Sequence, residues 1–253
     1  MNQAVRVIDT DLERPQLTAA IDEALLESRK DGRSGNTIHL YRRRPPSISI
    51  GYFQSATEVA DLDACRRDDV PVVRRISGGG AIYTDEMQLV YALITRPERP
   101  MKAKQGLETV CGAIVRALGR LGIEGARMEG INDVVIGNSK VSGSAQVIRK
   151  GVHLVHGTVL VDADLEAMDT YLRPHGTKME HRGHETPAAR VTTLKQLLGE
   201  ASIMDDMKAA LVAELALIGG GEPLMGQLNE DERNRAEDLE KNRYCTDRWN
   251  LRR

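Results

Sequence analysis

At 253 residues the chain is long enough to bury a full core as one large domain, 1–253, whose residues 227–253 form a C-terminal tail. Charged residues make up 28% yet nearly cancel to a net charge of −2, which excludes a strong global field for nucleic acid or membrane and makes any anion site a local one. The N-terminal "MNQAVRVIDTDLERP" lacks the apolar run of a signal peptide, the longest apolar run is broken by Glu214, and Cys65, Cys111 and Cys245 show no zinc or disulfide spacing, so the expectation is a cytoplasmic protein with reduced thiols.

"VRVIDT" is the first predicted strand, and "LTAAIDEALLESRK" is an amphipathic helix with Leu17, Ile21 and Leu25 on one face, flanked by Ala20 and Ala24. "TIHLYRR" and "SISIGYFQ" alternate apolar and polar and read as strands around the turn signal Pro45-Pro46. "ATEVADLDACRRDDV" reads as helix, "VPVVRRIS" and "MQLVYALIT" as strands, and "GLETVCGAIVRALGRLGI" as a helix with Leu107, Val110, Ile114, Leu118 and Leu121 as its apolar stripe. Residues 133–162 hold several short strands joined by glycine-containing turns, a largely antiparallel pattern. "ADLEAMDTYL" is a helix with Asp164 as an early acid. The unpatterned "HGTKMEHRGHETPAAR" suits a mobile loop; "TTLKQLLG" and "SIMDDMKAALVAELALIGG" return to helix, and "NEDERNRAEDLEKNRYCTDRWNLRR" is a polar helical tail. Mixed helices and clustered hairpins indicate an α+β fold.

Within this pattern "RRISGGGAIY" places three glycines where a strand should be weakened by them. A P-loop requires Lys-Ser/Thr at a spacing absent here, and a dinucleotide fingerprint requires a helix where a strand pattern follows. A ligand-free bulge or turn is the alternative. Two further stretches keep it company: "NDVVIGNSKVSGSAQ", whose one lysine, Lys140, stands beside the small residues Ser142-Gly143-Ser144-Ala145, and "HLVHGTVLVD", with His156-Gly157-Thr158 in a strand. Taken singly, Lys140 reads as a solvated strand-end lysine and His156 as a core histidine.

Taken together and in order, the Arg-x-Ser-Gly-Gly-Gly-Ala loop, the Asn-Asp strand with Lys-x-Ser-Gly-Ser-Ala, the His-Gly-Thr strand and the Asp-Leu helix resemble the lipoate-protein ligases, from about residue 5 to 198; "YCTDRWN" resembles the tail of archaeal-type catalytic chains. The resemblance implies the fold of biotin ligases, related to class II aminoacyl-tRNA synthetases, with a central, mostly antiparallel sheet flanked by helices. It implies that lipoate or octanoate and ATP form an acyl-AMP, and that the acyl group passes to a lysine of a lipoyl carrier: a dehydrogenase E2 domain, a glycine-cleavage H protein or a lipoate-binding protein. It also implies a separate accessory ligase subunit, since archaeal-type members supply their accessory domain as a second protein. Nucleic acid and membrane are not expected partners.

By the same resemblance Gly78, Gly79 and Gly80 let backbone lie against acyl chain and adenylate, with Ser77 beside them and Arg75 facing the phosphates. Gly80, Ala81, Ile82 and Tyr83 contact nucleotide. Lys140 is the catalytic residue, its point charge serving the carboxylate and a phosphate oxygen at once. Gly143, Ser144 and Ala145, with His156, Gly157 and Thr158, complete the substrate site. Asn132 and Asp133 order phosphate or Mg²⁺, although Asp133 reads equally as a turn carboxylate capping backbone amides. Octanoyltransferases of the same fold use a cysteine thioester and no ATP, and this chain has Gly130 and His175 at their two nucleophile positions. The Gly-Arg-Gly-Arg-x-x-Arg loop of biotin ligases is missing. A degenerate, non-enzymatic binding chain is disfavoured because Arg75, Lys140 and the small-residue loops are intact.

Overall fold

A computed structural model describes residues 4–173, 186–199 and 203–252. Strand β1 (Val5–Glu13) and helix α1 (Pro15–Lys30) lead to β2 (Thr37–Arg43), β3 (Ser47–Ile50), short helices α2 (Ala56–Val59) and α3 (Leu62–Arg67), β4 (Val72–Arg74), β5 (Ile82–Thr84) and β6 (Gln88–Thr95). Helix α4 (Ala103–Arg120) precedes β7 (Ala126–Glu129), β8 (Asp133–Ile136), β9 (Ser139–Arg149), β10 (Val152–Leu160) and α5 (Leu165–Tyr171). A 3₁₀ turn at Ala188–Arg190 is followed by α6 (Leu194–Leu198), α7 (Met204–Gly219), β11 (Pro223–Met225), α8 (Glu230–Leu239), a π turn (Glu240–Tyr244) and α9 (Asp247–Asn250).

Eight strands in the order β11-β1-β2-β6-β10-β9-β8-β7 form one sheet, and β4-β3-β5 form a second. In the large sheet β1 runs parallel to β2 and β11, and the other pairings are antiparallel, as expected for a mixed, mostly antiparallel sheet. Alternation along β6 sets the layers. Leu89, Tyr91 and Leu93 meet Val110, Ile114 and Leu118 of α4 and Leu211 and Leu215 of α7, while Ala92 and Ile94 meet Ala20, Ile21 and Leu25 of α1. Burying each such large apolar side chain contributes about 1.5–3 kcal/mol. Both faces are therefore covered, so the alternation of residues 37–43 marks no solvated face, and His39 and Arg43 are buried with their neighbours.

Several expected elements are interrupted for local reasons. The helix read over residues 56–70 breaks into α2 and α3 because Asp61 leaves helical geometry and caps the second, its carboxylate accepting the Ala64 N–H at 2.9 Å. The tail is helical only in pieces, and Trp249 docks it by donating its indole N–H to Arg74 O at 2.8 Å. Asp164 caps α5, accepting the Ala167 N–H. β11 is three residues long and carries too little pattern to read. Of the stretch expected as a mobile loop, residues 175–185 lie outside the described residues, whereas Ala188–Arg190 forms an ordered turn. No helix among the described residues is long and apolar enough to cross a membrane.

Candidate active site

A cavity of about 290 Å³ takes one wall from the large sheet and another from the small sheet and α5. Antiparallel register builds the first wall. Val90, Thr158, Gly143 and Asp133 pair successively across β6, β10, β9 and β8, so they form one row on one face. The glycine leaves a gap in that row. Lys140 folds back over it, and a Cβ at position 143 would lie 2.6 Å from its Cε. There Nζ reaches Asp133 Oδ1 at 2.7 Å, with Arg190 4.0 Å from the other carboxylate oxygen. Backbone supports this corner, because the Thr192 N–H donates to Lys140 O at 2.9 Å. Asn132 donates through Nδ2 to Ser144 O and accepts the Ser144 N–H on its own carbonyl, which fixes the strand end beside it.

Gly157 lines the cavity and also makes room for a neighbour. A Cβ there would lie 2.4 Å from Gly143 O and 2.5 Å from the Tyr91 hydroxyl, so the glycine lets the buried phenol cross β10 and reach Ser144 Oγ at 2.7 Å. Apolar surface comes from Leu160 at the end of β10 and, on the opposite side, from Val59, Tyr83, Met168 and Leu172. The cavity thus joins an apolar side to a corner with a lysine and an arginine, a match for an amphipathic anion.

The glycine loop lies over the site. Gly79, Gly80, Ala81 and Ile82 line the cavity, whereas Ser77 and Gly78 do not. Gly79 has φ +92°, which disfavours any side chain, and a Cβ would lie 2.9 Å from Arg75 Nη2. Its carbonyl fits against a second glycine: a Cβ on Gly51 would lie 2.1 Å from Gly79 O. Arg75, expected to face a phosphate, lines the cavity but turns its guanidinium into its own loop. Nη2 donates to Gly78 O (2.8 Å) and Gly80 O (2.7 Å), Nη1 to Ser49 O (2.9 Å), and Nε to Ser77 Oγ (3.1 Å). Burial, with the nearby Arg43 cation, lowers its pKa to about 10, so it stays charged at neutral pH. Ser77 is a buried link rather than a ligand contact: its hydroxyl lies 2.5 Å from His156 Nε2, and His156 Nδ1 lies 3.1 Å from Asp22 Oδ2.

At Asp133 the charges present compete with a divalent cation. A carboxylate shared by an ammonium and a guanidinium is a poor divalent-cation ligand, and no group of three or more His, Cys, Asp or Glu among the described residues could hold a metal ion. The residues do not fit a protein-held Mg²⁺. Sequence reasoning also missed cavity residues: Tyr41 and Arg43 at the end of β2, Gln54, Arg173, and Arg190 in the unpatterned stretch. All three cysteines are described and none lines the cavity. Cys111 is fully buried, with Sγ 3.8 Å from Ser144 Oγ and its pKa raised by burial; burial pushes Cys65 up to about 11; Cys245 is exposed on the tail.

A family model described as the lipoyl protein ligase A/B catalytic domain matches residues 14–216. The chain belongs to this family. It is 32% identical over 270 residues to the octanoyltransferase LipM of Symbiobacterium thermophilum, covering 98% of each chain, and 27% identical over 244 residues to lipoate–protein ligase 1 of Staphylococcus aureus, covering 96% of this chain and 72% of that one. Among solved structures it is similar to a bipartite lipoate protein ligase from Thermoplasma acidophilum, described with its E2 lipoyl domain (TM-score 0.86, 27% identity, 98% and 96% coverage). It is likewise similar to a lipoate-protein ligase A bound with ATP (TM-score 0.84, 26% identity, 99% of each chain). A biotin protein ligase of Leishmania major, at 10% identity and TM-score 0.50 over 87% of this chain and 76% of that one, shares the fold alone. Family membership makes this an acyl-transferring enzyme.

Proposed function

We propose that this family member is an ATP-dependent lipoate-protein ligase: it activates lipoate or octanoate as the acyl-AMP and passes the acyl group to a lysine of a lipoyl carrier domain. One observation carries the reading. The cavity offers an ammonium at its polar corner and no thiol, so it suits joining two anions rather than holding a thioester. The acid's carboxylate oxygen attacks the α-phosphorus and pyrophosphate leaves; Lys140 offsets the charge that accumulates between the two anions. The carrier lysine's amine then attacks the acyl carbonyl, and AMP leaves. Ala81, Ile82 and Tyr83 line the nucleotide's side and the glycine loop covers it. Magnesium, if required, arrives on the nucleotide's phosphates, since the residues present do not fit one. The likeness to the Thermoplasma protein, a bipartite ligase described with its E2 lipoyl domain, supports an E2-type carrier and a ligase of two components.

ATP-independent octanoyl transfer is the second reading, favoured by the LipM relatives. It requires a thiol that reaches the acyl group, and Cys111 is sealed behind Ser144. Isotopic ATP–pyrophosphate exchange with lipoate and with octanoate, run beside mass spectrometry of carriers, separates the two. Acid-dependent exchange supports the ligase; carrier octanoylation from an acyl carrier protein without ATP refutes it.

A further inference from the structure

Asp22 lies on α1, is 2% exposed and does not line the cavity, and the adenylation chemistry makes no use of it. Its carboxylate meets donors from two strands: His39 Nδ1 at 2.9 Å, Tyr41 OH at 3.2 Å and His156 Nδ1 at 3.1 Å. Burial alone would raise its pKa, but the hydrogen bonds from His156 and His39 outweigh this and keep it ionised. Burial also keeps His156 neutral at pH 7. A neutral ring that gives its Nδ1–H to Asp22 presents a bare Nε2, which accepts the Ser77 O–H. The Ser77 oxygen then accepts Nε–H of Arg75, whose Nη2 holds the carbonyls of Gly78 and Gly80. Every donor points the same way, from a buried guanidinium to a buried carboxylate.

The order aspartate, histidine, serine is that of a nucleophile and its base. Ser77 cannot act so, because it is fully buried and stands off the cavity. The other end of the chain decides the role. Three consecutive glycines have little order of their own, and one guanidinium ties two of their carbonyls together. Among the described residues no carboxylate forms a direct ion pair with Arg75, and Asp22 supplies its counter-charge through two neutral groups.

We propose that Asp22 is a positioning residue that holds the glycine loop in its binding shape through His156, Ser77 and Arg75. The importance of that shape for turnover rests on the ligase reading above; the coupling itself does not. The test is hydrogen exchange of the peptide spanning residues 76–83 in the unliganded protein, for wild type, Asp22→Asn, Ser77→Ala and the double variant. Each single change should speed loop exchange about tenfold, the size of one hydrogen bond to a charged group. The double should be no faster than the faster single, because both cut one chain. Peptides of α4 should not change. In pyrophosphate exchange the same variants should raise KM about tenfold and alter kcat less. Unchanged loop exchange in a folded Asp22→Asn protein, or effects that multiply in the double, overturn the proposal. Should Asp22→Asn not fold, His156→Gln paired with Ser77→Ala makes the same cycle one step nearer the loop: faster exchange without multiplication supports the coupling, and unchanged exchange or multiplying effects overturn it. A wild-type protein inactive in pyrophosphate exchange would sink the ligase reading while loop exchange still decides the coupling.

Discussion

Lys140→Met keeps the aliphatic stem and removes the ammonium, which separates charge from packing. In the folded protein Nζ lies 2.7 Å from Asp133 Oδ1, with the side chains 26% and 10% exposed. Water reaches this pair, so its contribution to stability is that of an accessible ion pair, about 0.2–1 kcal/mol. Asp133 also retains Arg190 at 4.0 Å. A loss of about 1 kcal/mol lowers Tm by about 2–4 °C in a chain of this size. The reaction is more sensitive. Losing one preorganised donor at a site of developing charge costs about 3 kcal/mol, on the order of a hundredfold in rate. Pyrophosphate exchange measured beside thermal unfolding should therefore show at least about a hundredfold loss of rate with a Tm change of no more than about 4 °C. A folded variant that exchanges pyrophosphate at nearly the wild-type rate would remove Lys140 from the chemistry and leave it a structural partner of Asp133.

Gly143→Ala places a methyl 2.4 Å from Lys140 Nζ, a flexible end that can move aside, so adenylation should fall at least about tenfold with little change in Tm; wild-type kinetics would mean the ammonium works from elsewhere. Gly157→Ala meets backbone and a pinned phenol instead, and should lower Tm by several degrees through about 1–3 kcal/mol of overpacking; an unchanged melting curve would show that Tyr91 is free to swing away. The triple variant Cys65→Ser, Cys111→Ser, Cys245→Ser should keep ATP-dependent lipoylation if folded, and an acyl group trapped on any thiol of the wild type would move the enzyme to the transferases. Burial depresses His156 and His153 below 6.5, so the unfolded chain binds protons that the folded one does not. Their stability contribution is complete above pH 6.5 and is lost as pH falls through the lower folded values, so denaturant midpoints should drop from pH 7 to 6, less steeply in His156→Gln. Equal midpoints and equal slopes would count against a neutral His156.

Sequence alone was sufficient for whatever depends on local period and motif order. The stripe Val110, Ile114, Leu118 marks the buried face of α4, and residues 133–162 read as antiparallel strands because turns and alternation are written locally. The ordered motifs around Gly79, Lys140 and His156 were legible too, and the cavity gathers all three. Their physical reasons were not. Gly143 is required by Lys140, and Gly157 by Tyr91, through register across β6, β10 and β9, which no single strand encodes. Arg75 looked outward in the motif and turns inward in the fold, since three loop and strand carbonyls converge on it only once Ser49 and the glycines meet. Nothing in the sequence singles out Asp22 within its amphipathic helix; it becomes a buried carboxylate only because packing sets it beside His156, 134 residues away. Periodicity reports which side of an element faces inward. What a buried polar group meets there is decided by tertiary packing, because the partners come from elements whose spacing along the chain carries no record of their contact.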